Sequence, residues 1–162
     1  DIVMSIPGIL LALAIIAALG ASTMNLLIAI TISSVPGSVR LVRSTILTVV
    51  EQDFIEAARS YGSSDMRIIV KYILPNAVGP IIVNTTMSIA SMILSAAGLS
   101  FIGMGIQPPQ PEWGAMLSEA RHYMTTSPYM QYFPGSAIVM TALSLNLIGD
   151  GLRDALDPKL KD

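Results

Sequence analysis

The sequence contains no cysteine, one histidine and few charged residues. Without cysteine, the 162-residue chain forms neither a disulfide nor a zinc–thiolate site. His122 has no carboxylate neighbours at ligand spacing, so it does not predict a metal site. The phosphate-binding pattern G-x-x-x-x-G-K-[ST] and the nucleophile pattern G-x-S-x-G are both absent. These absences predict no catalytic residue, no metal and no cofactor, and they exclude ATP hydrolysis by a phosphate loop in this sequence.

Charge is scarce and unevenly distributed. Only 12% of the residues are charged and 52% are hydrophobic, whereas soluble domains contain about 25% charged residues. No charged residue lies between Asp1 and Arg40, or between Tyr72 and Pro111. Because a helix needs about 20 apolar residues to cross a bilayer, the sequence predicts an all-α, polytopic membrane bundle. The four predicted spans cover about residues 2–19, 25–50, 76–98 and 134–149, with a break in the last helix at Gly149–Gly151.

The third span and the loop after it have distinctive compositions. Small residues in this span either allow close helix packing, which we favour for each one, or leave room for a solute path; they are Ser88, Ala90, Ser91, Ser95, Ala96, Ala97 and Gly98. The loop 99–133 is predicted to contain a short interfacial helix within Glu112–Met124. A cluster of aromatic residues in this loop is typical of a membrane–water interface; its members are Trp113, Tyr123, Tyr129, Tyr132 and Phe133.

The basic residues predict an orientation. Because successive spans alternate in direction, eight basic residues share one side and only Arg121 lies on the other. The eight are Arg40, Arg43, Arg59, Arg67, Lys71, Arg153, Lys159 and Lys161. The positive-inside rule therefore places residues 51–75 and the C-terminus in the cytoplasm, and the loop 99–133 outside.

Residues 51–75 form the one long polar segment between apolar regions. Their periodicity predicts two short amphipathic helices separated by Gly62, which suits the left-handed position after a helix. The predicted apolar faces are Phe54, Ile55, Ala58 and Tyr61 in the first helix, and Met66, Ile69, Val70 and Ile73 in the second. Asp53 and Glu56 resemble a capping box, and Ser63 or Ser64 is the predicted cap of the second helix. Pro75 is placed where a further helix begins.

Two short helices around a glycine also describe a DNA-binding helix-turn-helix or a surface loop without a partner. The segment carries three basic residues, Arg59, Arg67 and Lys71, against four acidic ones. A protein that binds DNA needs a basic excess to neutralise phosphates. We therefore expect no nucleic acid partner.

The spacing of Glu56-Ala57-Ala58, Gly62 and Leu74-Pro75 resembles the EAA motif of ABC importer permeases. Tyr72 occupies the position where that motif has isoleucine. Further stretches resemble the dipeptide/oligopeptide/nickel branch of these permeases: Ser5-Ile-Pro-Gly8, Leu99–Pro109 with Glu112–Met116, and Gly149–Pro158.

The resemblance implies a permease subunit of a type I, binding-protein-dependent importer of di- or oligopeptides or nickel, in a bacterial or archaeal cell membrane. It implies as partners ABC ATPase subunits, a second homologous permease, an extracytoplasmic solute-binding protein and the lipid bilayer. About two N-terminal helices of the family are expected to be absent from this sequence. The residues implied to couple to the ATPase are Phe54, Glu56, Ala57, Ala58, Tyr61, Gly62, Met66, Leu74 and Pro75. An orphan channel, or a scaffold subunit of a membrane enzyme complex, is the alternative.

Overall fold

The computed structural model describes residues 5–156, and the secondary structure found there consists of helices without a β-strand. The helices are α1 (Gly8–Leu19), α2 (Thr23–Val50), α3 (Asp53–Ser60), α4 (Asp65–Phe101), α5 (Trp113–Ala120) and α6 (Tyr129–Leu156). The predicted all-α class is confirmed. The first residues of the first predicted span, together with Lys159 and Lys161, lie outside the described residues.

Three helices, α2, α4 and α6, are long and apolar enough to cross a membrane. Only 17%, 17% and 22% of their most apolar windows are buried inside the protein. Their remaining apolar surface requires lipid or other helices as a neighbour.

Helix α1 lies within the first predicted span. Helix α1 begins at Gly8, directly after Pro7, and contains 12 residues. Its length of about 18 Å falls short of a hydrocarbon core of about 30 Å. Within the described residues, the α-helical part of the predicted span 2–19 begins after Pro7.

A tight hairpin joins α1 to α2 between the first two predicted spans. Gly20 has a φ of +88°, and the Ser22 hydroxyl accepts a hydrogen bond from the Asn25 backbone N–H at 3.1 Å. The Asn25 side-chain amide donates to the carbonyls of Leu19 and Gly20, both at 2.9 Å. One end of each helix is thus capped by the turn itself. The hairpin and α4 enclose a buried apolar cluster formed by Ala12, Ile16, Leu26, Ala29, Ile30 and Leu99.

Helices α4 and α6 pack closely through glycine. A Cβ at Gly149 would lie 2.7 Å from the Met87 side chain, and one at Gly79 would lie 3.5 Å from Leu156. The predicted break at Gly149–Gly151 is wrong, since α6 continues to Leu156. A helical glycine costs about 1 kcal/mol relative to alanine, and Gly149 is placed where it permits the approach to α4.

The loop after α4 folds back onto the helix end. Gly103 has a φ of +83°, and the Met104 N–H donates to the Leu99 carbonyl at 2.9 Å. The buried Ser100 hydroxyl accepts from the Ile106 N–H at 3.1 Å.

The short helix predicted within Glu112–Met124 is present as α5, followed by a 3₁₀ turn over Arg121–Tyr123. The Glu112 carboxylate caps α5 by accepting from the Ala115 N–H at 2.7 Å. Gly114 packs against the backbone of Ala97. This contact fixes α5 on the end of α4 opposite to residues 51–75.

Candidate functional site

The polar segment 51–75 lies at one end of the helical bundle. It directly follows α2 and comprises all of α3 and the first turns of α4. Leu156, at the C-terminus of α6, contacts Gly79 near the same end of α4. Arg153 therefore lies at the same end as the segment, whereas Arg121 follows α5 at the other end, as the predicted distribution of basic residues requires.

Gly62 ends α3 in the predicted left-handed conformation, with a φ of +76°. The Gly62 N–H donates to the Arg59 carbonyl at 2.9 Å, and the Ser63 N–H donates to the Ala58 carbonyl at 3.1 Å. This pair of bonds is a Schellman motif, in which glycine is favoured because it has no Cβ to strain a positive φ. Gly62 thereby sets the direction in which the chain leaves α3.

The predicted capping bonds are not formed. Gln52 is the residue before α3 and Ser64 precedes α4, and neither side chain makes a capping hydrogen bond. Asp53 and Glu56 instead lie inside the first turn of α3. Their negative charges stabilise the positive end of the helix dipole without a reciprocal box.

A buried apolar cluster holds the segment together, and we call it the anchor cluster. Ile55 is 1% exposed and Ala58 is 7% exposed in α3; Ile68 and Ile73 are 2% and 7% exposed in α4. Partly buried residues packed against them are Ile46, Val49, Val50 and Tyr72. The anchor cluster therefore joins α3 to the end of α2 and to the start of α4.

The predicted apolar faces are only partly correct. In the first helix, Ile55 and Ala58 are buried, but Phe54 is 41% exposed and Tyr61 is 90% exposed. In the second, Ile73 is buried, whereas Met66, Ile69 and Val70 are exposed and the missed residue Ile68 is buried. The periodicity did not distinguish apolar residues that pack internally from those that remain on the surface.

A π-helical turn at Ile69–Ile73 explains the shifted face. The Leu74 N–H donates to the Ile69 carbonyl, and this i→i+5 pattern brings residues five apart, such as Ile68 and Ile73, close to one face. Pro75 lies in the first turn of the α-helical stretch Leu74–Phe101, as predicted, and this stretch follows the π-helical turn without a break, so Asp65–Phe101 form one long helix. The wide turn precedes Pro75, where an ordinary α-helix would bring the proline ring against the carbonyl four residues earlier.

The nine residues predicted to couple to an ATPase fall into two groups. Ala58 lies in the anchor cluster and Gly62 in the turn after α3. The other seven are exposed, as is Gly62; they are Phe54, Glu56, Ala57, Tyr61, Met66, Leu74 and Pro75. Tyr61 and Met66, at 90% and 70% exposed, flank the Gly62 turn and form its most exposed apolar surface. Exposed apolar side chains beside charged ones are typical of a surface that binds another protein.

The described residues offer no metal centre. Within residues 5–156, no group of three or more His, Cys, Asp or Glu side chains is arranged to hold a metal ion. His122 lies in the 3₁₀ turn after α5 and is exposed.

Comparison with known proteins gives matches along the whole sequence. Residues 1–162 match the family described as "Binding-protein-dependent transport system inner membrane component". Two relatives are the glutathione transport system permease proteins GsiD of Escherichia coli O1:K1 / APEC and of Shigella flexneri serotype 5b (strain 8401). Each is 54% identical over 161 residues, which are 99% of this chain and 53% of the relative. The chain therefore spans about half the length of the curated relatives it matches.

Proposed function

Because the chain belongs to the family of binding-protein-dependent transport system inner membrane components, we propose that it forms membrane-spanning structure of an ATP-driven importer and transmits ATPase movement to its helices. The observation that carries the proposal is the anchor cluster beneath the exposed Gly62 turn. A partner that binds Tyr61 and Met66 pushes on a segment packed against both α2 and α4. The chain itself is not an enzyme in this proposal, and separate subunits hydrolyse ATP.

The proposed coupling mechanism follows from rigid packing. Closure of the ATPase subunits displaces α3, and the anchor cluster transfers the displacement to the ends of α2 and α4. The long helices then move as rigid bodies between inward-open and outward-open arrangements. Phe54, Tyr61 and Met66 supply apolar contacts to the ATPase, whereas Ala58 and Gly62 hold the segment in shape.

The remaining motif residues have separate roles in the proposal. Glu56 stabilises the first turn of α3 and offers its carboxylate to the ATPase. The side chain of Ala57 is small and adds little bulk to the exposed side of α3. Leu74 and Pro75 terminate the coupling segment after the π-helical turn, where α4 enters the bundle.

Residues 51–75 and the C-terminus lie in the cytoplasm in this arrangement, and the loop 99–133 faces outward. The eight-to-one distribution of basic residues supports this orientation. The family's description supports an inner membrane location and a solute-binding protein as partner. A second, homologous permease is expected to cover apolar faces of α2, α4 and α6.

The proposed solutes are small peptides. The relatives' names refer to glutathione, a peptide, which favours the peptide side of the expected range over nickel. Glutathione is therefore the first solute to test, followed by dipeptides and oligopeptides.

The test of the coupling role is recovery of an ATPase from detergent-solubilised native membranes. The bait is the complete permease, compared with its Glu56→Lys variant. Glu119→Lys makes the same charge change in α5, at the other end of the bundle, and is the matched control. We expect the unaltered bait and Glu119→Lys to recover a phosphate-loop ATPase and Glu56→Lys to recover much less.

Equal recovery by all three baits would refute the role of Glu56 at the docking surface. Recovery by none would refute the importer proposal. A channel or a scaffold subunit would then be the better explanation of the same helices, and solute flux that persists after ATP depletion would support the channel.

A further inference from the structure

A cavity of about 250 Å³ lies between α1, α2 and α4. Five serines line it: Ser33 and Ser34 from α2, and Ser88, Ser91 and Ser95 from α4. Its other lining residues are glycine, alanine and larger apolar residues, with no charged side chain contributed by the described part of the chain. Helices α1 and α2 lie in ordinary contact here, since a Cβ at Gly8 would lie 3.6 Å from the Ser33 carbonyl oxygen.

The cavity lies near the middle of the proposed membrane region. At 1.5 Å per residue, Ser34 is about 16 Å from the start of α2 and Ser91 is about 15 Å from the end of α4. Both of these helix ends belong to the outward side of the proposed topology. A hydrocarbon core is about 30 Å thick, so the serines lie close to its midplane.

The serine hydroxyls are able to exchange hydrogen bonds with a solute. Those of Ser33, Ser88 and Ser95 donate to carbonyls of their own helices at 2.9, 2.7 and 2.8 Å, and each keeps lone pairs that can accept. The Ser91 side chain makes no hydrogen bond to any residue between 5 and 156. A hydroxyl without a partner is unfavourable in lipid, whereas it is satisfied by water or by a polar solute in a cavity.

We propose that this cavity is a section of the solute path, in which the serine hydroxyls contact the amide groups of a peptide. The inference deepens the proposed import function and rests on it. Peptide N–H and C=O groups match hydroxyls that both donate and accept. A bare nickel ion would instead require nitrogen, carboxylate or thiolate ligands, and the lining supplies none of them.

The experiment uses the complete transporter in proteoliposomes, with its ATPase and binding protein. The sequence contains no cysteine, so Ser91→Cys introduces one thiol into this chain. Ile89→Cys is the matched control, because Ile89 lies on the same helix, is 42% exposed and does not line the cavity. Modification by a water-soluble maleimide is followed as a mass increase of the proteolytic peptide that contains the substituted residue.

We expect Ser91→Cys to react at least about tenfold faster than Ile89→Cys, because the reactive thiolate forms in water and is suppressed in apolar surroundings. S-methylglutathione, a peptide without a free thiol, is the probe. When it is transported with ATP, it is expected to slow modification of Ser91→Cys several-fold and to leave Ile89→Cys unchanged. Both variants must first assemble with the ATPase, which shows that they are folded.

The outcomes separate the two proposals. If the unaltered transporter does not accumulate S-methylglutathione in an ATP-dependent manner, the proposed peptide import fails, and the path with it. If it does, but Ser91→Cys reacts as slowly as Ile89→Cys, the cavity is closed to water and is not the path. A fast reaction that the probe does not slow would also overturn the inference, since a path residue must be covered by the solute.

Discussion

The contact between Gly114 and Ala97 gives the sharpest prediction about packing in this protein. Gly114 lies in the first turn of α5 and is buried against α4. A Cβ at this position would lie 2.7 Å from both the Cα and the carbonyl carbon of Ala97 and would also contact its carbonyl oxygen. The obstacle is backbone, so no side chain can rotate away. Gly114→Ala therefore forces α5 to move away from the end of α4.

The size of the effect follows from contact distances. Carbon atoms pack best at about 3.5–4.0 Å, so α5 must shift by roughly 1 Å. Overpacking of this kind costs typically 1–3 kcal/mol, and we expect about 3 kcal/mol because the α4 backbone resists the shift. Gly98→Ala is the matched control, since Gly98 is the next residue along α4 and a Cβ there would have no atom of another part of the described chain within 4 Å. That change is expected to stabilise the helix by about 0.5–1 kcal/mol.

The assay is a titration of the detergent-solubilised protein with a denaturing detergent, followed by tryptophan fluorescence. Trp113 is the only tryptophan in the sequence and precedes Gly114, so it reports on this contact. We expect the midpoint to fall for Gly114→Ala and to rise slightly for Gly98→Ala. A midpoint unchanged by Gly114→Ala, or lowered equally by both substitutions, would refute the reasoning.

Three further predictions concern the coupling segment and the hairpin. Gly62→Ala should destabilise the end of α3 by about 1–2 kcal/mol because the φ of Gly62 is +76°, and Gly62→Asn should destabilise it by less. Both effects are measured as faster tryptic cleavage after Arg59, and equal cleavage rates for the two variants would contradict the conformational cause. Ile55→Ala should lower the free energy of unfolding by about 2–5 kcal/mol, because Ile55 is 1% exposed. Phe54→Ala should instead leave the unfolding midpoint nearly unchanged and weaken ATPase recovery, and a reversed order of the two midpoints would show that the anchor cluster is misassigned. Asn25→Ala should cost about 1–3 kcal/mol, since it removes both side-chain bonds to the carbonyls that end α1, and an unchanged midpoint in the same denaturant titration would refute that role.

Much of the architecture could be predicted before the structure because lipid imposes simple requirements on composition. Long stretches without charge predict membrane helices, and the structure contains three helices of sufficient length and apolarity. Gly62 was predicted in a left-handed conformation because few other residues tolerate it, and its φ of +76° confirms this. The predicted coupling role of residues 51–75 remains a proposal, since it concerns a partner.

The errors came from interactions between distant parts of the chain. Gly149 was predicted to break a helix because local propensity disfavours glycine there, but α6 uses it to pack against Met87. Pro75 was correctly placed in the first turn of an α-helical stretch, but the π-helical turn that joins this stretch to the preceding residues of α4 was not predicted. Neither the α4–α6 contact nor the extra residue in the turn has a signal in local periodicity.

The sequence by itself determined the helical class, the position of the polar segment and the turn at Gly62, because these depend on burial of apolar residues and on backbone conformation near each residue. Only the tertiary structure decided which apolar side chains of segment 51–75 are buried: Ile55 and Ile68 are buried, whereas Tyr61 and Met66 are exposed. It also placed serines from α2 and α4 around one cavity. The physical reason is that helical periodicity specifies the faces of a helix, whereas the neighbour that each face contacts is set by packing against helices distant in the sequence.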